Sequence, residues 1–165
     1  MTSTEMIKDM LERQKAYDAE VFKKHQVTSI SREQLESALF DELGELMHAQ
    51  KGDWCWWKFT QESTDKANVF EEYVDVLHFA LMYEINYGAG CYENEDIERN
   101  YRMVKSNSDL GQAFVYSCVI CMTRDDEILA YVIAFGLHMG FSLEEIYKEY
   151  IRKNEINKER LANGY

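Results

Sequence analysis

Residues 39–59 read LFDELGELMHAQKGDWCWWKF. Leu39, Leu43, Leu46 and Met47 recur at the spacing of one face of an α-helix. Glu42 and Glu45 stand beside that apolar stripe, three positions apart, so at about 100° per residue they lie only roughly 60° from each other. A helix that faces a core has no ordinary use for two carboxylates along the edge of that face. Beyond it, three tryptophans and two lysines fall between Lys51 and Lys58, more aromatic surface than a solvated loop needs.

The arrangement returns on the next helical pattern, from about residue 66 to 86. Val74, Val76, Leu77, Phe79, Ala80 and Leu81 make that stretch apolar on most sides, as in the central helix of a bundle. Glu72 and Asp75 are again three apart beside the apolar face. Twenty-six residues separate Glu45 from Glu72, enough for the two helices to pack antiparallel and bring four carboxylates together. Unpaired carboxylates near a core are costly and call for cations. Hard oxygen donors suit Mg²⁺, with Mn²⁺ as the alternative.

The same residues support a second metal reading. Glu45-x-x-His48 and Asp75-x-x-His78 have the spacing that di-iron carboxylate bundles use, given further carboxylates from other helices. Glu127, Glu144 and Glu145 are the available ones. Spacing alone does not choose between the two readings.

The rest of the chain is consistent with one all-α domain spanning residues 1–165. Proline is absent, which removes the strongest helix breaker. Thr2 with Glu5, Ser31 with Gln34 and Ser142 with Glu145 are capping boxes that open helices running to about residues 24, 50 and 161. Residues 51–65 read as irregular, and further helices are expected over about 94–105, 108–122 and 125–139.

The net charge of −12 repels nucleic acid polymers and anionic membranes, but not a small phosphorylated ligand that arrives with Mg²⁺. The amino-terminal residues carry no apolar signal core, and the apolar run at 130–141 is too short to cross a bilayer. Four irregularly spaced cysteines, Cys118-x-x-Cys121 among them, lack the second pair of a zinc site and read as buried apolar side chains in a reducing cytoplasm.

The last sixteen residues, YIRKNEINKERLANGY, place Lys153, Asn154, Asn157 and Arg160 on one helical face. Asparagine is a poor helix-interior residue. Its amide offers a donor beside an acceptor, matching a pyrimidine edge or a sugar hydroxyl, whereas Lys and Arg suit phosphates. This segment, Tyr150-x-x-Lys153-Asn154-x-x-Asn157-x-x-Arg160-x-x-x-Gly164-Tyr165, together with Glu42-x-x-Glu45 and Glu72-x-x-Asp75, resembles the dimeric all-α dUTP pyrophosphatases of phages, some bacteria and kinetoplastids. That family lies within the all-α NTP pyrophosphohydrolase group. Trp57-Lys58 resembles its W-K element, and Gln14 matches a position near the base.

The resemblance implies a homodimer that releases dUMP and pyrophosphate from dUTP. It implies Mg²⁺ on Glu42, Glu45, Glu72 and Asp75, with Glu45 handling the attacking water. Lys153, Arg160 and Tyr165 would approach the phosphates, with Gln14, Asn154, Asn157 and Trp57 on the nucleoside side and Lys58 beside them. Leu161 and Asp18 depart from the family pattern, which often has Gln at the first position and can have Asn at the second. A dCTP or mixed dCTP/dUTP hydrolase is the alternative within this class. A helical interaction protein without catalysis is the alternative outside it.

Overall fold

The computed structural model describes residues 1–60, 62–106 and 126–164. Those residues form helices and connecting turns, with no strands among them. The chain is an all-α bundle. Its helices are α1 (Ser3–His25), α2 (Arg32–Ala49), the single turn α3 (Lys51–Trp54), α4 (Lys66–Tyr87), α5 (Asn94–Ser106), α6 (Ile128–His138) and α7 (Leu143–Ala162). The helix expected over 108–122, with Cys118 and Cys121, lies outside the described residues.

All three capping boxes form. The Thr2, Ser31 and Ser142 hydroxyls accept the backbone N–H of Glu5, Gln34 and Glu145, and each of those side chains reaches back to the cap N–H. These bonds satisfy donors that a helix start leaves without intrahelical partners. Asp65 opens α4 by accepting from Ala67 N at 2.9 Å. α6 starts later than the sequence pattern suggests. Glu127 accepts from Asn100 Nδ2 at 3.2 Å and pairs with Arg99 at 3.2 Å, so its side chain is committed to α5. The stretch read as irregular contains the short turn α3.

α4 is the central element and packs on α1, α2, α6 and α7. Leu35, Leu39, Leu43 and Leu46 of α2 are fully buried against it. Each such side chain contributes about 1.5–3 kcal/mol through burial. α6 is buried from Ile128 to Gly136. Gly136 has no room for a Cβ, because the ring of Tyr73 fills that position while its hydroxyl donates to Val132 O at 3.1 Å. α1 packs on both α4 and α7, and this three-helix junction, together with the α2–α4 contact, carries the candidate site. No single helix is long and apolar enough to cross a membrane among the described residues.

Candidate active site

The packing of α2 on α4 decides where the carboxylates go. Both helices bury their apolar stripes in the shared core, so residues at the stripe edges meet at the rim of the contact. Glu42, Glu45 and Glu72 each offer an oxygen there, all within 4.8 Å of one another. Glu45 is exposed, whereas Glu42 and Glu72 are half-buried. Beside them runs an open groove of about 450 Å³ with Gly44, Glu45, His48, Asn68 and Glu72 among its walls.

Burial, followed by mutual repulsion, governs their electrostatics. Burial, then the charges of Asp75, Glu45, Asp41 and Glu72, push the Glu42 carboxyl up to about 7. Glu72 is raised too, by burial and then by Asp75 and Glu45, with Lys153 opposing.

Asp75 is half-buried on the same helix as Glu72 but outside this cluster. Its Oδ2 accepts from Lys153 Nζ at 2.8 Å, and the same ammonium donates to Glu71 Oε1 at 3.1 Å. Burial pulls the lysine down, but the bonds and charges of Asp75 and Glu71 outweigh it and leave the group raised. Glu71 was not singled out from the sequence. Its signal is the i,i+4 relation to Asp75, which sets two carboxylates on one face of α4.

Behind Lys153, α1 and α7 enclose a chain of buried polar groups. Gln14 Nε2 donates to Asp18 Oδ1 at 2.7 Å. Tyr150 donates its hydroxyl between Gln14 Oε1 and Met10 O, both at 3.1 Å, and receives Asn154 Nδ2 at 3.4 Å. Gln14, Asp18, Tyr150 and Asn154 are all buried. His78 is buried as well. Its Nδ1 lies 2.8 Å from Val74 O and its ring 4.7 Å from that of Tyr150, so it faces this chain and not the three-carboxylate cluster.

A protein family described as dUTPase has a sequence model that matches residues 6–165. No curated protein matches the chain.

The chain belongs to the dUTPase family.

It is thus a dUTP diphosphatase whose substrate is a small nucleotide. Against that identity, the geometry of the dUTPase divides the residues singled out from its sequence into three groups. Glu42, Glu45 and Glu72 come together, with Asp75 one turn away on Lys153. Gln14 and Asn154 join one buried polar chain through Tyr150. The others lie further out. Asn157 is half-buried, and Arg160 is exposed at a shallow depression with Ile156 and Gly164. Trp57 is 52% exposed and packs on Trp54 and Trp56, with centroids 5.5 and 5.8 Å away. Lys58 is exposed next to it. Tyr165 lies outside the described residues.

Proposed function

We propose that the enzyme hydrolyses dUTP to dUMP and pyrophosphate in a Mg²⁺-dependent reaction, with Mn²⁺ as the alternative ion. The observation that carries this reading is the convergence of Glu42, Glu45 and Glu72, with the Glu42 and Glu72 carboxyls raised by burial and then by their neighbours' charges. Such a donor set is all hard oxygen and rich in negative charge, which suits Mg²⁺. Glu42, Glu45, Glu72 and Asp75 would hold the ion. The chemistry it supplies when bound is charge neutralisation at the phosphates and a water of lowered pKa.

Glu45, the exposed member of the cluster, orients the attacking water and receives its proton. Lys153 and Arg160 take the phosphates, along with Tyr165. Lys153 starts from its place on Asp75 and Glu71, so the incoming phosphate exchanges one set of anionic oxygens for another. Gln14, Asn154 and Asn157 line the nucleoside side, Trp57 stacks on the base, and Lys58 assists near it. In this reading the enzyme is a cytoplasmic homodimer. Trp56 and Phe59, 88% and 107% exposed, supply apolar surface for a partner.

The deciding experiment incubates the protein with Mg²⁺ and, separately, dUTP, dCTP, dTTP, dATP, dGTP and UTP. Formation of dUMP and pyrophosphate from dUTP, abolished by EDTA and by Glu45→Ala, is the expected result. Preference for dCTP overturns the base assignment and leaves the site intact. Metal-independent turnover, or iron retained on Glu45/His48 and Asp75/His78, overturns the Mg²⁺ assignment.

A further inference from the structure

Asp18 has an unusual setting for a carboxyl group. It is 4% exposed. Its Oδ1 takes the Gln14 hydrogen, while its Oδ2 is shielded from solvent with no hydrogen-bond partner among the described residues. Gln14 and Tyr17 flank it on α1. From α7 the facing titratable group is Tyr150, reached through Gln14, and from α4 it is His78, which lies against Tyr150. Arg160 acts on Tyr17, and Arg13 on Tyr150. Among the described residues no cation is paired with the Asp18 carboxyl itself: burial raises it to about 7, and the Gln14 bond opposes.

The other end of the same polar chain repeats the anomaly. Asn154 is fully buried, and its Oδ1 also lacks a partner. Buried polar atoms are nearly always paired, and each exception asks for an explanation. Here two unpaired oxygens terminate one hydrogen-bonded chain, Asp18–Gln14–Tyr150–Asn154. A ligand that completes both ends carries polar groups of its own. A pyrimidine does, with a donor beside an acceptor at ring positions 3 and 4. The ring acceptor, O4 of uracil or N3 of cytosine, needs a hydrogen from the protein. Asn154 Oδ1 has none to give, and an ionised Asp18 has none either.

We infer that Asp18 reads the base as a neutral carboxylic acid, donating from Oδ2 to the ring acceptor of the pyrimidine while Gln14 holds Oδ1. This rests on the nucleotide reading proposed above and adds to it a specificity residue and its working protonation state. The neutral acid is abundant below about pH 7 and is lost above it, so base affinity falls as the pH rises through that value.

The test measures KM for dUTP from pH 6 to 9 at saturating Mg²⁺ in the wild type and in Asp18→Asn, whose amide cannot ionise. Ionisations of the substrate and of the remaining site residues are common to both proteins and cancel in the ratio. The expected result is a wild-type to variant KM ratio that climbs roughly tenfold per pH unit above about 7. A flat ratio, or one that falls with pH, overturns the inference while leaving dUTP hydrolysis in place. Absence of turnover at every pH in the wild type overturns the nucleotide reading and the inference with it. Calorimetry of 2′-deoxyuridine binding to the wild type at pH 8, in buffers of different ionisation enthalpy, decides the matter without a variant. Uptake of about one proton per site supports the acid form, and no uptake or release overturns it.

Discussion

Lys153 Nζ donates to Asp75 Oδ2 across 2.8 Å, tying the carboxyl-terminal helix to the central one. The lysine side chain is 8% exposed, whereas Asp75 and Glu71 are 24% and 49% exposed. The ammonium is thus the buried member, and the acids are partly solvated. Lys153→Met keeps most of the volume and removes the charge. Because the orphaned acids can still reach water, the loss of stability should be about 1–2 kcal/mol, below that of a fully buried pair. Urea unfolding in EDTA measures it. The larger effect should be on kcat/KM for dUTP, with a loss of roughly a hundredfold for a charge-assisted phosphate contact.

Glu42 carries the next prediction. Its folded carboxyl is held near 7, against an ordinary value of 4.5. The folded state therefore binds a proton more tightly than the unfolded chain does. Stability of the metal-free protein falls as the pH rises from about 4.5 to about 7 and levels off beyond. Glu42→Gln removes that slope. In EDTA at pH 8 the variant should melt higher than the wild type by roughly 3–8 °C, and the gap should close by pH 5. A thermal melt at the two pH values checks both statements.

The exposed position of Glu45 separates chemistry from folding. Glu45→Ala opens no cavity in the core, so its Tm in EDTA should not fall below that of the wild type. Its kcat should drop by about 10²–10⁴, the usual loss for a group that handles a proton. His48 shares the groove wall with Glu45. His48→Ala should keep most of the activity and leave Mg²⁺ dependence unchanged. Retained iron in the wild type, lost in His48→Ala, would point instead to the histidine-containing metal set.

Trp57 should behave as a base platform. Stacking on an aromatic side chain is worth about 1–3 kcal/mol per base, so Trp57→Ala should raise KM for dUTP roughly 5–100-fold with a smaller change in kcat. Nucleotide binding should quench tryptophan fluorescence in the wild type and less so in the variant. Trp56→Ala, which removes a side chain of greater exposure, should change the oligomeric state seen by light scattering before it changes KM.

The all-α fold was legible because its signals are local. Each capping box lies within four consecutive residues, and the Leu39, Leu43 and Leu46 stripe lies within one helix. The pairing of Glu42 and Glu45 with Glu72 needed only one further assumption, that α2 and α4 are neighbours. Glu71 was not found because its partner Lys153 is 82 positions away, and nothing in residues 66–87 shows which face α7 covers. Asp18 follows Gln14 by one helical turn, so that bond was in principle readable. Its burial was not, since it depends on α7 and α4 closing over α1. The place of Asp75, turned to a lysine and apart from the other three acids, is likewise a consequence of tertiary packing that no spacing rule contains.

The hydroxyl of Tyr150 bonds the Met10 carbonyl, joining residues 140 positions apart. The acidic groove, by contrast, is made by α2 and its neighbour α4. On a ribosome these two halves of the site have different histories. The groove can assemble once residue 87 has emerged, whereas the chain from Asp18 to Asn154 must wait for α7 to be synthesised and dock on α1. Until then Gln14 and Asp18 have water for company, and the carboxyl of Asp18 ionises as any exposed acid does. Closing the chain from Asp18 to Asn154 is therefore a later step than forming the acidic groove, and it carries Asp18 from water into burial.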